Sequence, residues 1–115
     1  MNLSVSFKNI NFGSPFMNAS GPLCTYENEL NALGESSSSA IVLKSMTFEA
    51  RKGNERPKYF ENNFGSINSN GLENLGCKEY CELIPKLKKF GKPIVASCVG
   101  FNVEEFETII KALDS

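Results

Sequence analysis

Leu3, Val5 and Phe7 alternate with polar residues, and Ile10 and Phe12 resume the alternation after Lys8-Asn9. A period of two on either side of a polar pair predicts a short β-hairpin. Pro15-Phe-Met-Asn-Ala-Ser-Gly21 then reads as an apolar strand ending in small polar residues. Tyr26, Leu30 and Leu33 share one helix face, with Thr25 as the expected N-cap and Gly34 as the expected stop. The serine run 36–39 is a connecting loop of low complexity. Ala40-Ile-Val-Leu is continuously apolar until Lys44 and Ser45, which marks a second strand. Tyr80, Leu83, Ile84 and Leu87 form a helical stripe that Pro85 is expected to kink or shorten. Pro93-Ile-Val-Ala-Ser-Cys-Val99 is a third strand. Asn102 with Glu105 resembles a capping box ahead of a last helix, whose inner face is Val103, Phe106, Ile109, Ile110 and Leu113.

The predicted order is a hairpin followed by β-α-β-α-β-α. Strands apolar on both faces, alternating with amphipathic helices, predict a parallel sheet. Right-handed crossovers bring Asn18–Gly21, Lys44–Ser45 and Ser97–Gly100 to one rim, the C-terminal rim at which α/β folds bind ligands. Between Met46 and Gly76 lies a long segment rich in Gly, Asn, Pro and charge. Long loops inside a domain are usually functional. Its last part, Gly65-Ser-Ile-Asn-Ser-Asn-Gly-Leu-Glu-Asn-Leu-Gly76, mixes glycines and amides with the apolar residues Ile67, Leu72 and Leu75. That mixture fits either a ligand loop pinned to a scaffold or a structural Asn/Gly turn.

The 115 residues suit one domain, residues 1–115. A net charge of −1 offers no electrostatic footprint for nucleic acid or a membrane surface. No apolar run is long enough to span a bilayer, and the first seven residues lack the basic and apolar blocks of a signal peptide. The expected location is cytoplasmic. The four cysteines include no CxxC pair, so reduced thiols are expected and no metal site. Cys77 and Cys81 are expected on one helix face, and Cys98 is read as a buried small hydrophobe. The absence of histidine excludes Ser-His and Cys-His nucleophilic pairs within this chain.

Four motifs occur together in order and spacing: Phe16-Met-Asn-Ala-Ser-Gly21, Leu43-Lys44-Ser45, Arg51-Lys-Gly-Asn54 and the Gly65–Gly76 segment. With them the chain resembles the dihydroorotate dehydrogenases from about residue 5 onward, and the last motif is most similar to the soluble class 1A branch. The resemblance implies an FMN-dependent (β/α)8 TIM-type barrel, generally a homodimer, that oxidises dihydroorotate to orotate with fumarate as acceptor in pyrimidine biosynthesis. The implied fold for this chain is α/β: an N-terminal hairpin plus three βα units of that barrel. A complete barrel takes roughly 250 residues. The barrel is therefore expected to be incomplete here, with open strand edges, and the chain inactive and marginally stable alone. The family's base cysteine follows the fourth strand and is expected to lie outside this chain.

The resemblance also implies site residues. Ala19, Ser20 and Gly21 match positions against the flavin, where small side chains let the backbone approach a flat ring; the alternative is a tight strand–helix junction. Lys44 matches a lysine that contacts both flavin and substrate. A lysine ending a buried strand is costly unless it meets an anion, although it can also snorkel to the surface. Ser45 matches a further flavin contact. Asn68, Ser69, Asn70, Gly71 and Leu72 match the substrate loop, with Asn70 standing where methionine is usual. Glu73 stands in place of a proline, removing a rigid turn element. Arg51 matches a basic residue above the site, for which a lid role, a surface salt bridge or plain solvation are all open. Three other readings remain: a non-catalytic relic or interaction module, the NAD-linked class 1B enzyme, and a dihydropyrimidine dehydrogenase domain.

Overall fold

The predicted N-terminal hairpin forms, from β1 (Val5–Phe7) and β2 (Ile10–Phe12), with Val5 opposite Phe12. Lys8 makes the turn at φ +51°. This is a computed structural model, and it describes residues 2–114. The remaining elements are α1 (Glu27–Glu35), β3 (Ile41–Val42), β4 (Tyr59–Asn62), β5 (Gly65–Asn68), α2 (Cys77–Leu87), β6 (Ile94–Val95) and α3 (Val103–Leu113). The architecture is α/β.

β3 and β6 pair in parallel, Ile41 with Ile94 and Val42 with Val95, as the two apolar runs predicted. Ile41 N–H donates to the Pro93 carbonyl and Leu43 N–H to that of Val95, both at 2.9 Å. A parallel bridge between Met46 and Cys98 extends the contact. The core lies between this sheet and the helices: Leu30 from α1, Ile41, Leu43 and Met46 from the strand segment, Tyr80, Leu83 and Leu87 from α2, and Ile109 from α3. α2 packs against both other helices, and its Tyr80 hydroxyl donates to the Thr25 carbonyl at 3.2 Å.

The predicted strand Pro15–Gly21 does not form. Its place beside β3 is taken partly by a side chain. Val42 N–H donates to Asn18 Oδ1 at 2.9 Å, and Asn18 Nδ2 donates to the Val42 carbonyl at 2.8 Å. A primary amide carries the same donor and acceptor as a peptide, so one side chain replaces a ladder step. The serine run is structural rather than degenerate. Ser38 Oγ accepts from Asn18 N–H and donates to the Ala40 carbonyl, and Ser39 N–H and Oγ both donate to the Phe16 carbonyl.

Helix ends depart from expectation where tertiary contacts decide. The N-cap of α1 is Tyr26 rather than Thr25, because the Glu29 carboxylate reaches back to accept from both backbone N–H groups, at 2.8 Å from Thr25 and 3.1 Å from Tyr26. Gly34 does not stop α1, which runs on to Glu35. It is a packing residue: a Cβ there would lie 2.3 Å from the Phe90 ring. Gly34→Ala gains about 1 kcal/mol of helix propensity but forces the ring aside, an overpacking cost of about 1–3 kcal/mol. The expected result is a lowered melting midpoint, partly recovered in the double variant with Phe90→Leu; an unchanged midpoint would show that the ring yields freely. Pro85 lies in the last turn of α2, which reaches Leu87 and then tightens into a 3₁₀ turn, Lys88–Phe90. Asn102 caps α3 as predicted, its Oδ1 accepting from Glu105 N–H at 2.8 Å. Only Ile109 and Leu113 of its expected inner face meet the core; Val103 and Ile110 are exposed.

The Met46–Gly76 segment contains an unpredicted antiparallel hairpin, β4 with β5, in which Tyr59 faces Asn68 and Asn62 faces Gly65. All eight of its strand residues are exposed, so it shows no alternation of buried and solvated positions to read.

Candidate functional site

Three polar segments expected at one rim do converge. Ser20 Oγ lies 3.0 Å from Ser45 Oγ, which lies 2.8 Å from Ser97 Oγ. The row links the end of the Asn18–Gly21 segment to the chain beyond β3 and beyond β6. Ser97 was not singled out as a site residue; its position after an apolar run, like that of Ser45, was the available signal. Ala19 is exposed, and a Cβ on Gly21 would meet nothing nearer than 4.0 Å, so this surface is open. Beneath it the buried Cys24 thiol accepts from Gly21 N–H at 3.3 Å and holds the turn.

Lys44 is half-buried, with its backbone N–H donated to the Cys24 carbonyl. Its ammonium has no ion-pair or hydrogen-bond partner among the described residues. A cation at the end of a buried run, without an internal carboxylate, is a ready site for an anionic ligand.

The Asn68–Leu72 segment is a strand end and a turn, not wholly a loop. Asn68 closes β5 and is exposed, its amide making no hydrogen bond among the described residues. Ser69 N–H donates to the Lys58 carbonyl at 2.9 Å, and Asn54 Nδ2 donates to both Ser69 Oγ and the Ser69 carbonyl at 2.9 Å. The exposed Asn70 lends its carbonyl to Asn54 N–H. Gly71 is required by its φ of +72° and by Asn54, whose Oδ1 would lie 2.5 Å from an added Cβ. Leu72 is also left-handed, at φ +56°.

Asn74, unsuspected in the sequence, fixes that turn. Buried, it accepts at Oδ1 from Thr47 N–H (3.1 Å) and Gly76 N–H (2.9 Å), and donates from Nδ2 to the Leu72 carbonyl (2.7 Å) and Thr47 Oγ1 (3.0 Å). Its backbone exchanges two hydrogen bonds with Arg51. Only its place among several similar asparagines hid it. Arg51 itself is exposed, its guanidinium 5.2 Å from the centre of the Phe101 ring and in no salt bridge among the described residues.

Glu73 accepts from Tyr26 OH at 3.1 Å and from the Lys58 ammonium. The hydrogen bond from Lys58, reinforced by that from Tyr26 and by the charge of Arg56, holds the Glu73 carboxyl below its ordinary pKa. Its carboxylate in turn raises the Tyr26 phenol.

Asn68 and Ser69 open on a cavity of about 320 Å³ walled by Pro57, Tyr59, Phe60 and Ile67. Lys44 and Ser45 do not line it, and no hydrogen bond joins Asn68–Leu72 directly to Ala19–Gly21 or Lys44–Ser45 among the described residues. The two groups are tied indirectly, through Thr47 and Asn74.

Cys77 and Cys81 do share a face, their sulfurs 3.8 Å apart. Burial raises the Cys77 thiol to about 11, and also raises that of Cys98, which is half-buried rather than buried as expected. Among the described residues no group of three or more His, Cys, Asp or Glu is placed to hold a metal, and no helix is long and apolar enough to cross a membrane.

Residues 2–115 match the protein family described as dihydroorotate dehydrogenase. The chain is 41% identical to dihydroorotate dehydrogenase (fumarate) of Trypanosoma brucei brucei over 114 residues, covering 98% of the chain and 36% of the relative. It is 39% identical to dihydroorotate dehydrogenase A (fumarate) of Lactococcus lactis subsp. cremoris, covering 96% and 37%. A fungal relative, dihydroorotate dehydrogenase (fumarate) of Lachancea kluyveri, is 41% identical over 106 residues, covering 90% and 34%. The chain thus spans about a third of the length of the curated relatives it matches.

Proposed function

Because this chain belongs to the dihydroorotate dehydrogenase family, we propose that it supplies one side of the site at which an FMN enzyme oxidises dihydroorotate to orotate with fumarate as acceptor. The net change removes two hydrogens from the substrate C5–C6 bond and adds two to fumarate. The same reading makes the parallel β3–β6 pair part of a (β/α)8 barrel and the protein a cytoplasmic homodimer.

The observation that carries it is the row of three hydroxyls, Ser20–Ser45–Ser97, with Lys44, the residue before Ser45, holding an ammonium that has no partner among the described residues. A flavin needs a flat, small-residue surface, hydrogen-bonding groups and a cation near its polar edge. The exposed Ala19, the open face over Gly21, the Ser20–Ser45–Ser97 row and Lys44 fit those needs. FMN, when bound, supplies the ring that accepts a hydride. Lys44 holds negative charge at the rim, on the substrate carboxylate and at the polar flavin edge, and stabilises it most where water is excluded. The Asn68 amide offers a donor and an acceptor to the pyrimidine ring or its carboxylate, and Asn70 adds a second amide that, like it, has no hydrogen-bond partner among the described residues.

The test uses the protein that carries this chain. It is expected to purify with bound FMN, released on denaturation, and to turn dihydroorotate into orotate with matching loss of fumarate. Purified protein without flavin that leaves dihydroorotate unchanged after addition of FMN would overturn the reading.

A further inference from the structure

Glu73 sits where three separate parts of the chain meet. Its two carboxylate oxygens are shared between the Tyr26 hydroxyl, at the N-cap of α1, and the Lys58 ammonium, at the foot of the β4–β5 hairpin. Glu73 itself directly follows the left-handed Leu72. Lys58 is also the residue whose carbonyl holds Ser69 N–H. The Lys58 and Glu73 side chains are only 18% and 33% exposed, so the pair is partly shielded from solvent screening.

The turn between these tethers costs energy to hold. Gly71 and Leu72 are consecutive residues at positive φ, and a leucine there is disfavoured unless its surroundings over-determine it. Asn74 fixes the turn from below, through the Leu72 carbonyl, and Asn54 from the side, through Ser69. Neither reaches α1. The Glu73 carboxylate makes that connection, between the hairpin foot and a helix seated in the core by Leu30.

We propose that Glu73 is a positioning residue whose Tyr26–Glu73–Lys58 latch fixes the Asn68–Leu72 turn against α1 and sets how firmly substrate is held. The role of that turn rests on the function proposed above. The latch touches no reacting atom, so its loss is felt as misplacement of Asn68 and Gly71 rather than as lost chemistry.

In the flavin-loaded protein that carries this chain, Glu73→Ala is expected to raise KM for dihydroorotate about tenfold, while kcat falls less than about threefold. Glu73→Gln fills the same space but brings one acceptor oxygen, and no charge, where Glu73 uses both of its oxygens, so it is expected to recover only part of the KM, whereas a merely space-filling role would recover all of it. Tyr26→Phe is expected to give an intermediate KM, and no further rise when added to Glu73→Ala. Hydrogen exchange in the ligand-free protein gives a second readout: Glu73→Ala is expected to speed exchange at Ser69 and Asn54, whose N–H groups donate to the Lys58 and Asn70 carbonyls, while leaving α1 core amides unchanged. Unchanged exchange there overturns the latch, whatever the activity. Faster exchange in a protein that does not oxidise dihydroorotate upholds the latch and overturns the proposed function instead. An unchanged KM in an active Glu73→Ala enzyme overturns the substrate consequence.

Discussion

Lys44→Ala, in the protein that carries this chain, is expected to lower kcat for dihydroorotate oxidation by about two to three orders of magnitude with little change in stability. The size follows from the kind of interaction. A preorganised cation facing charge in a water-poor site contributes more than it does in water, and removing one such electrostatic partner commonly costs about 10²–10³ in kcat. The small effect on folding follows from the contact pattern. The Lys44 ammonium has no partner among the described residues, so alanine leaves no internal group unsatisfied. Lys44→Arg keeps the charge but replaces a compact ammonium with a planar fork, so it is expected to recover little. Steady-state kinetics with dihydroorotate and fumarate, alongside a thermal melt, measure both halves. A kcat within about threefold of the parent would remove Lys44 from the site.

The apolar runs Ala40–Leu43 and Pro93–Val99 announced the parallel pair because buried parallel strands need no alternation. The Asn102 cap was equally legible, since its partner Glu105 is local. The β4–β5 hairpin was not: Tyr59, Phe60 and Ile67 are exposed at its surface, so no period of two separates an inner from an outer face. Gly34 was misread because a stop and a packing glycine look alike until Phe90, 56 residues onward, is placed on it. At the site, the segments carrying Ser20, Ser45 and Ser97 were legible as one rim. The supports of the turn were not, because Asn54, Asn74 and Glu73 act through partners far along the chain. Glu73 in particular reads in the sequence as the loss of a rigid element, whereas its carboxylate supplies a tether of another kind.

Asn74→Ala is expected to be strongly destabilising, by about 3–5 kcal/mol. The side chain serves two backbone donors, Thr47 N–H and Gly76 N–H, and one backbone acceptor, the Leu72 carbonyl. With alanine all three lose that partner in a site where Asn74 is 3% exposed, and an unsatisfied buried group costs about 1–3 kcal/mol. Gly76 compounds the effect. Its φ of +83° and the Ala50 backbone nitrogen 2.7 Å from any added Cβ leave that junction little room to rearrange. Asn74→Asp is expected to fail as well, because it keeps the acceptor for Thr47 and Gly76 but turns a negative oxygen toward the Leu72 carbonyl. The denaturant midpoint reads the loss. A shift corresponding to less than about 1 kcal/mol for Asn74→Ala would show that water takes over all three bonds.

Asn18 has a consequence for how this protein meets its neighbours. Val42 offers its N–H and carbonyl on the side of β3 that β6 does not use, and the Asn18 amide occupies both. A naked strand margin is a template on which another chain can grow. Here that template is already filled, by a group too short to pass the invitation on. Another strand can therefore add to this margin of β3 only by first displacing the Asn18 amide from Val42.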